Sequence, residues 1–271
     1  MSILVVQVLP QGIIFGADRN ITETQVTTDS GICIITIVQG QSQRPKVLRW
    51  PNRKALVGYV GAATISGMPT DEWLYEYIGE HLGFESFEML AHDLRDRVQK
   101  QRTIDEGNRE PEILLLHLAG FEQRNSYQVP VVWYIRNPRG IENGYYTDIR
   151  KDFLCDEVFW SRFTDVSPDR VRRQLKQLAS KNQPFWFHQG LDLGTFNTLE
   201  AFLRSGLARL CETHPDLSFP SSLGEWEQHL KMTILTYGAY YQAFKGPGEQ
   251  YVGGGSDTVC LAWPQMRVVA Q

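Results

Sequence analysis

Histidines, cysteines and glycine-rich segments are the features of this chain that could bind a metal, form disulfides or bind a phosphate group. The six histidines have no HExxH or other metal-ligand spacing. The four cysteines lie far apart without a CxxC pair, so neither a zinc site nor a disulfide framework is indicated. The glycine-rich segments 246–248 and 253–255 fit neither a Walker A phosphate loop nor a dinucleotide-binding loop, and we interpret them as turns. The sequence therefore predicts no metal and no cofactor.

Length and composition are typical of a globular protein. The chain has 271 residues, 42% of them hydrophobic and 21% charged, which is ample for a well-formed core. Its formal net charge of −4 gives no electrostatic footprint for nucleic acid. Apolar runs are shorter than the roughly 20 residues that cross a bilayer, and the first ten residues do not resemble a signal peptide. We therefore expect a cytoplasmic protein without nucleic-acid or membrane partners.

The hydrophobic pattern predicts blocks of strands that alternate with pairs of helices. Period-two and continuous apolar runs predict strands at 3–9, 13–17, 32–38, 46–50, 55–60, 113–119, 129–135, 185–188, 258–263 and 266–270. Apolar residues at helical spacing predict helices from a Thr70 cap to 78 and at 87–98, 168–178, 196–210 and 223–244. Helices in pairs do not fit a regular βαβ alternation. They favour two packed sheets with a helix pair outside each, an α+β, four-layer αββα sandwich in one domain, 1–271.

Three N-terminal segments carry a family resemblance. Residues 12–22 form a Gly–apolar strand–Ala-Asp-x-x-x-Thr run, 46–50 form a strand that opens with lysine, and 57–63 form a glycine-rich strand end. Together they resemble the proteasome β-type subunits and the bacterial HslV peptidase, with some specificity over residues 2–80. The glycine-rich strand 253–261 also resembles the last sheet of that family. The resemblance implies the αββα fold of an N-terminal-nucleophile hydrolase.

The same resemblance implies a catalytic set of Ser2, Asp18 and Lys46. In such hydrolases the side chain of the first residue attacks an amide, and its own α-amine acts as the base. An α-amine has a reference pKa of about 7.7–8.0, which a nearby ammonium lowers further, while an aspartate holds that ammonium. Each residue also has an ordinary interpretation. Ser2 is a common second residue, Asp18 could close a turn, and Lys46 could be a strand-edge charge.

Further binding roles follow from the resemblance. Thr22 corresponds to the strand that pairs with the main chain of the substrate, although threonine is also an ordinary strand residue. The backbone N–H of Gly61 or Ala62 would stabilise the oxyanion, and the choice between the two stays open. For both residues, close packing at a strand end is the alternative.

The chain departs from the family in places that surround the nucleophile. Leu191, Gln250 and Gly253 stand where family members carry a serine, an aspartate and a second serine. We therefore expect the hydrogen-bonding groups that orient the amine to be altered or lost. Two insertions are expected, near 23–40 and at 142–184, and the first is predicted to be a longer hairpin.

The resemblance implies an amide hydrolase, most simply a peptidase, that uses Ser2 after removal of Met1 and requires no self-cleavage. The alternative is a non-catalytic structural or regulatory proteasome-like subunit, and a small-molecule amidase is a third option. The resemblance further implies a peptide or protein substrate, a homo-oligomer that could form rings, and an ATP-driven unfoldase as a conceivable partner.

Overall fold

The structure is a computed structural model. It describes residues 3–9, 11–21, 23–29, 32–38, 43–52, 54–106, 114–124, 127–136, 185–190, 193–244 and 252–262. Ser2, Thr22, the predicted insertion at 142–184 with its helix at 168–178, and the predicted strand at 266–270 lie outside the described residues.

Within these residues the chain is a mixed α/β protein with four helices and antiparallel sheets. The strands are β1 (Ile3–Leu9), β2 (Gly12–Asp18), β3 (Glu23–Asp29), β4 (Ile32–Val38), β5 (Val47–Arg49), β6 (Ala55–Gly61), β7 (Thr64–Ile65), β8 (Met68–Pro69), β9 (Leu114–Arg124), β10 (Tyr127–Arg136), β11 (Phe185–Gly190) and β12 (Ser256–Ala262). The helices are α1 (Thr70–Glu80), α2 (Phe87–Glu106), α3 (Leu193–Thr213) and α4 (Leu223–Phe244).

Two four-stranded sheets form the centre of the described fold. The first has the order β11-β1-β2-β12 and the second the order β10-β9-β6-β5, and the paired strands in both are antiparallel. Strands β3 and β4 form a hairpin of their own, which is the longer hairpin that the sequence predicts. No pair of the described strands is parallel, as the absence of βαβ alternation in the sequence predicts.

Strand β1 is buried on both faces, which explains its nearly continuous apolar sequence. Successive side chains of a strand point to opposite sides. Leu4, Val6 and Val8 pack in an apolar cluster with residues of the second sheet, including Val60 of β6. Of the alternate residues of β1, Ile3, Val5 and Leu9 belong to a different cluster, shared with α3 and α4. One strand thus joins two parts of the core.

A third cluster covers the other face of the second sheet. It contains Leu74 and Tyr77 of α1 and Leu90 and Leu94 of α2, packed with side chains of the second sheet such as Leu116. The residues of these helices recur at intervals of three and four, as the helical pattern predicts. Each face of the second sheet is therefore covered, one by helices and one by the first sheet.

The prediction that Thr70 caps α1 is wrong. Pro69 occupies the N-cap position, and no side-chain hydrogen bond caps the helix. Thr70 is the first helical residue, and its hydroxyl donates instead to the carbonyl oxygen of Ala62 at 2.8 Å. The competing acceptor lies in the turn after β6, so the side chain ties α1 to that strand.

Candidate active site

The structure brings Asp18 and Lys46 together at the ends of strands from two different sheets. Asp18 is the last residue of β2, and Lys46 immediately precedes β5. The Nζ atom of Lys46 lies 3.2 Å from each carboxylate oxygen of Asp18. The Lys46 side chain is 2% exposed and that of Asp18 is 0% exposed. The two residues therefore form a buried ion pair that joins the sheets.

Backbone groups complete the surroundings of this pair. The N–H of Ile3 donates to Asp18 Oδ1 at 2.9 Å, and the N–H of Asn20 donates to Asp18 Oδ2 at 3.2 Å. The N–H of Gly253 donates to the same carboxylate. Lys46 also donates to the carbonyl oxygen of Asn20. A carboxylate offers about four acceptor positions, and three amides and one ammonium use them here.

The glycine run before β12 holds the end of β2 through its backbone. The carbonyl oxygen of Gly253 accepts hydrogen bonds from the N–H groups of Arg19 at 3.2 Å and Asn20 at 3.1 Å. The carbonyl oxygen of Gly255 accepts from the Arg19 N–H at 3.3 Å. Gly254 and Gly255 have φ values of 70° and 101°, in the left-handed region that favours glycine. The run is the turn that the sequence predicts, and it also belongs to the site.

A second ion pair lies beside the first. Arg19 Nε lies 2.8 Å from Asp257 Oδ2, and the two side chains are 40% and 21% exposed. Asp257 is the second residue of β12 and stands opposite Ala17 in the pairing with β2. The negative charge of Asp257 favours the protonated form of Lys46. Two carboxylates and two cations therefore meet where β2 and β12 pair.

Burial and charge act in opposite directions on the central pair. Burial lowers the pKa of the Lys46 ammonium and raises the pKa of the Asp18 carboxyl, because each charged form loses its hydration. The attraction between the two charges opposes both shifts, and so do the amide hydrogen bonds of Ile3 and Gly253 to Asp18. The proton affinity of Lys46 is therefore set by its neighbours. A titratable group tuned in this way is a frequent feature of sites that transfer protons.

Gly61 and Ala62 follow the part of β6 that lies against Lys46. The N–H of Tyr59 donates to the carbonyl oxygen of Lys46 at 2.9 Å, and Gly61 is two residues further along the strand. Gly61 is exposed with a φ of 105°, whereas Ala62 is buried and accepts the Thr70 hydrogen bond. A side chain at Gly61 would be strained, so the strand ends with accessible backbone. The oxyanion role of either amide stays a prediction.

The predicted site is thus partly assembled in the structure. Asp18 and Lys46 are in contact, whereas Ser2 and Thr22 lie outside the described residues. Sequence reasoning missed Asp257, although it lies two residues after the glycine run, and it missed the amide of Gly253 as a partner of Asp18. Gly253 was expected to mark a lost hydrogen-bonding group. Its backbone instead supplies hydrogen bonds at the same end of β2.

A scan of the sequence against protein-family models finds no match, and a search of curated proteins finds none either. The resemblance described above therefore depends on the residues themselves. Within the described part of the chain, no helix is long and apolar enough to cross a membrane. The same residues contain no group of three or more histidines, cysteines, aspartates or glutamates that could hold a metal ion.

Proposed function

We propose that the protein is an N-terminal-nucleophile amide hydrolase, a proteasome-like peptidase that attacks with Ser2 after Met1 is removed. One observation carries the proposal. The N–H of Ile3, the residue bonded to Ser2, donates to Asp18 at 2.9 Å, and Lys46 contacts the same carboxylate at 3.2 Å. A buried Asp–Lys pair next to the second residue of the chain is the arrangement that the proposed chemistry requires.

We propose a four-layer αββα sandwich as the architecture that carries this site. The three apolar clusters support it, because one lies between α1, α2 and the second sheet, one between the two sheets, and one between the first sheet and α3, α4. In this arrangement the site lies at one end of the space between the sheets, where β2 ends and β5 begins.

The proposed reaction proceeds by acyl transfer through Ser2. The free α-amine of Ser2 accepts the proton of its own hydroxyl, and Oγ bonds to the carbonyl carbon of the substrate amide. The Gly61 or Ala62 N–H stabilises the negative oxygen that forms. The amine then returns the proton to the leaving nitrogen as the C–N bond breaks. Water hydrolyses the resulting ester in the same way, which restores the serine.

Lys46 and Asp18 have supporting roles in this mechanism. The Lys46 ammonium lowers the pKa of the α-amine, so that more of the amine is in its basic form near neutral pH. Asp18 holds both Lys46 and the Ile3 amide, and it thereby fixes the cation relative to the start of the chain. In this proposal Thr22 pairs with the main chain of a peptide or protein substrate.

The first test asks whether the nucleophile exists. We expect intact-mass spectrometry of protein from its native host to give a mass lower by one methionine residue. An electrophilic peptide probe should add one covalent label to this protein and none to the Ser2→Ala variant. A retained Met1 would rule out the mechanism, because the base would then be part of a peptide bond.

The second test compares two lysines. Lys46→Ala should reduce hydrolysis of a peptide substrate by about 100-fold, because the α-amine base loses the cation that keeps its pKa low. Lys54→Ala is the matched control, because Lys54 is exposed and outside the site, and it should leave the rate unchanged. Equal rates in both variants would argue against the enzyme. Hydrolysis of small amides but not peptides would instead identify an amidase.

A non-catalytic, structural or regulatory role is the second candidate. The hydrogen bonds of Asp18 favour it, since Ile3, Asn20, Gly253 and Lys46 satisfy the carboxylate without any substrate. A buried ion pair with all of these hydrogen bonds can have a purely structural role, which is to join the two sheets. Retention of Met1 together with normal folding would support this candidate.

We also propose that the chain assembles into a homo-oligomer, in line with the ring-forming family that it resembles. The support from this chain is an apolar exposed face on α4, which includes Met232, Leu235 and Tyr240. A ring that encloses its sites would limit access to unfolded chains, so an ATP-driven unfoldase is the partner that this proposal implies.

A further inference from the structure

The proposed mechanism leaves the Arg19–Asp257 pair without a role. Arg19 follows Asp18 directly in the chain, and Asp257 lies on the strand paired with β2. The pair has good geometry, with 2.8 Å between Arg19 Nε and Asp257 Oδ2. Both carbonyl groups that accept the Arg19 N–H belong to the glycine run, so the backbone of Arg19 is held in place.

We propose that Arg19 and Asp257 are a positioning pair that sets the electrostatic potential at Lys46. The inference depends on the proposed function for its catalytic meaning, whereas the effect on Lys46 is a property of the fold. Neither residue needs to touch the substrate. Both act through Lys46, the cation that contacts Asp18.

The charge balance around Lys46 explains why the pair matters. Lys46 contacts the carboxylate of Asp18, and the charge of Asp257 also favours its ammonium form. Arg19 neutralises Asp257 at close range and so limits that influence. The other ionisable groups around β6 interact electrostatically with the Tyr59 hydroxyl, and they are Asp71, Arg44 and Asp18. Both charges of the Arg19–Asp257 pair belong to side chains other than Asp18 and Lys46, so each can be removed while the central pair is kept.

The proposal predicts opposite effects from the two halves of one ion pair. Asp257→Asn removes an anion and leaves Arg19 unpaired, so the Lys46 ammonium should lose its proton more readily. Arg19→Gln removes a cation and leaves Asp257 unpaired, so the ammonium should hold its proton more tightly. Each variant breaks the same contact. A role limited to joining β2 to β12 would therefore move both variants in the same direction.

The experiment is an NMR titration of the Lys46 side chain in protein labelled at the lysine ε-carbon. Its resonance is identified as the one that disappears in Lys46→Ala. We expect the midpoint to fall by about 0.5 pH unit in Asp257→Asn and to rise by about the same amount in Arg19→Gln, since the charges are partly screened by solvent. The double variant should return close to the wild-type midpoint.

Conservative variants are the control for loss of the fold. Arg19→Lys and Asp257→Glu keep both charges and should keep the wild-type midpoint, even where the neutral variants are less stable. Midpoint shifts of the same sign in Asp257→Asn and Arg19→Gln, or no shift in either, would overturn the inference. The titration decides the role of the pair, and hydrolysis by the wild type decides the proposed function, so each can fail alone.

Discussion

Removal of one partner of the Asp18–Lys46 pair should lower the free energy of unfolding by far more than the intact pair contributes to it. Asp18→Asn leaves the Lys46 cation in a site where it is only 2% exposed. Breaking a buried pair in this way typically costs about 3–5 kcal/mol, because the remaining charge is buried without compensation. Urea unfolding of the variant should show a loss in that range.

A surface pair provides the comparison for Asp18→Asn. Arg95 and Asp96 are in contact at 2.7 Å, but Asp96 is 61% exposed. Asp96→Asn should therefore change the free energy of unfolding by less than about 1 kcal/mol. Similar small losses in both variants would mean that the Asp18 site is hydrated rather than closed.

Gln7 is a buried polar residue whose side-chain amide has no hydrogen-bond partner among the residues that the structure describes. It lies in the middle of β1 and is 0% exposed, and within that part of the chain neither its oxygen nor its nitrogen is bonded. An unsatisfied buried polar group costs about 1–3 kcal/mol. Gln7→Met, which keeps the shape of the side chain, should therefore raise the free energy of unfolding by about 1 kcal/mol or more.

The same substitution at an exposed position is the control for Gln7. Gln228 lies on α4 and is exposed, so Gln228→Met should leave stability nearly unchanged. A destabilised Gln7→Met variant with an unaffected Gln228→Met variant would show that the amide of Gln7 is needed in the folded protein.

Helix α4 begins with a capping box that makes its stability depend on pH. Glu225 accepts hydrogen bonds from the N–H groups of Ser221 at 2.8 Å and Ser222 at 2.9 Å, and Ser222 Oγ accepts from the Glu225 N–H at 3.3 Å. These bonds lower the pKa of Glu225 from 4.5 to about 2. The carboxylate therefore stabilises the folded state above pH 4.5, and the contribution is lost as the pH falls from 4.5 towards 2.

Glu225→Gln should remove this pH dependence. Compared with the wild type, we expect the variant to be less stable near neutral pH, and we expect the difference to shrink as the pH falls from 4.5 towards 2, where the wild-type carboxyl becomes protonated. Urea unfolding at a series of pH values measures the difference. Glu227→Gln, two residues along the same helix, should follow the wild-type curve. A stability difference that stays constant down to low pH would contradict the capping role of the carboxylate.

The elements that the sequence predicted well are those whose signal is local. Burial explains the apolar runs of β1 and β2 and the three-and-four spacing of α2 and α4. In each case the pattern can be read from the residues of that segment alone. The Ser222–Glu225 capping box was also present in the sequence as a local motif, but it was not recognised. The Thr70 cap failed because an acceptor on another element, the carbonyl of Ala62, competes for its hydroxyl.

The residues of the candidate site also fall into two groups, those with a local sequence signal and those without one. Asp18 and Lys46 were identified through a resemblance of their strands, and their contact agrees with it. The amide of Gly253 and the Asp257 carboxylate could not be assigned, because they reach β2 only through the pairing with β12 at the far end of the chain. Every residue other than proline has a backbone N–H, so residue type does not show which amide donates a hydrogen bond. The backbone of Gly253 can therefore act as a donor although no sequence motif indicates it.

At the scale of the whole molecule, α4 presents two apolar faces. One face packs on the first sheet through Trp226, Leu230 and Ile234. The other carries Met232, Leu235 and Tyr240, which are 60%, 38% and 44% exposed. From Met232 to Phe244 the helix contains no Asp, Glu, Lys or Arg. A solvated helix face normally carries such charges, so this second face has the composition of a contact surface.

A second copy of the chain fits this face better than a charged partner does. In a two-fold contact each patch meets itself, and identical charges would oppose one another. The uncharged stretch avoids that conflict. Assuming about 200 Å² for each large side chain, the three residues expose roughly 300 Å². Two copies would then bury roughly 600 Å², less than the 1,200–2,000 Å² of a stable interface, so further surface must contribute.

The predicted outcome is self-association that depends on α4. Sedimentation velocity over a wide range of concentrations should show wild-type species larger than the monomer. Leu235→Glu should shift the protein to monomer, because identical charges would then face each other across the two-fold axis. Tyr75→Glu is the control, since Tyr75 is 66% exposed but lies on α1, and this variant should associate like the wild type. A wild-type chain that stays monomeric at all concentrations would exclude assembly, and equal effects of both variants would exclude α4 as the contact.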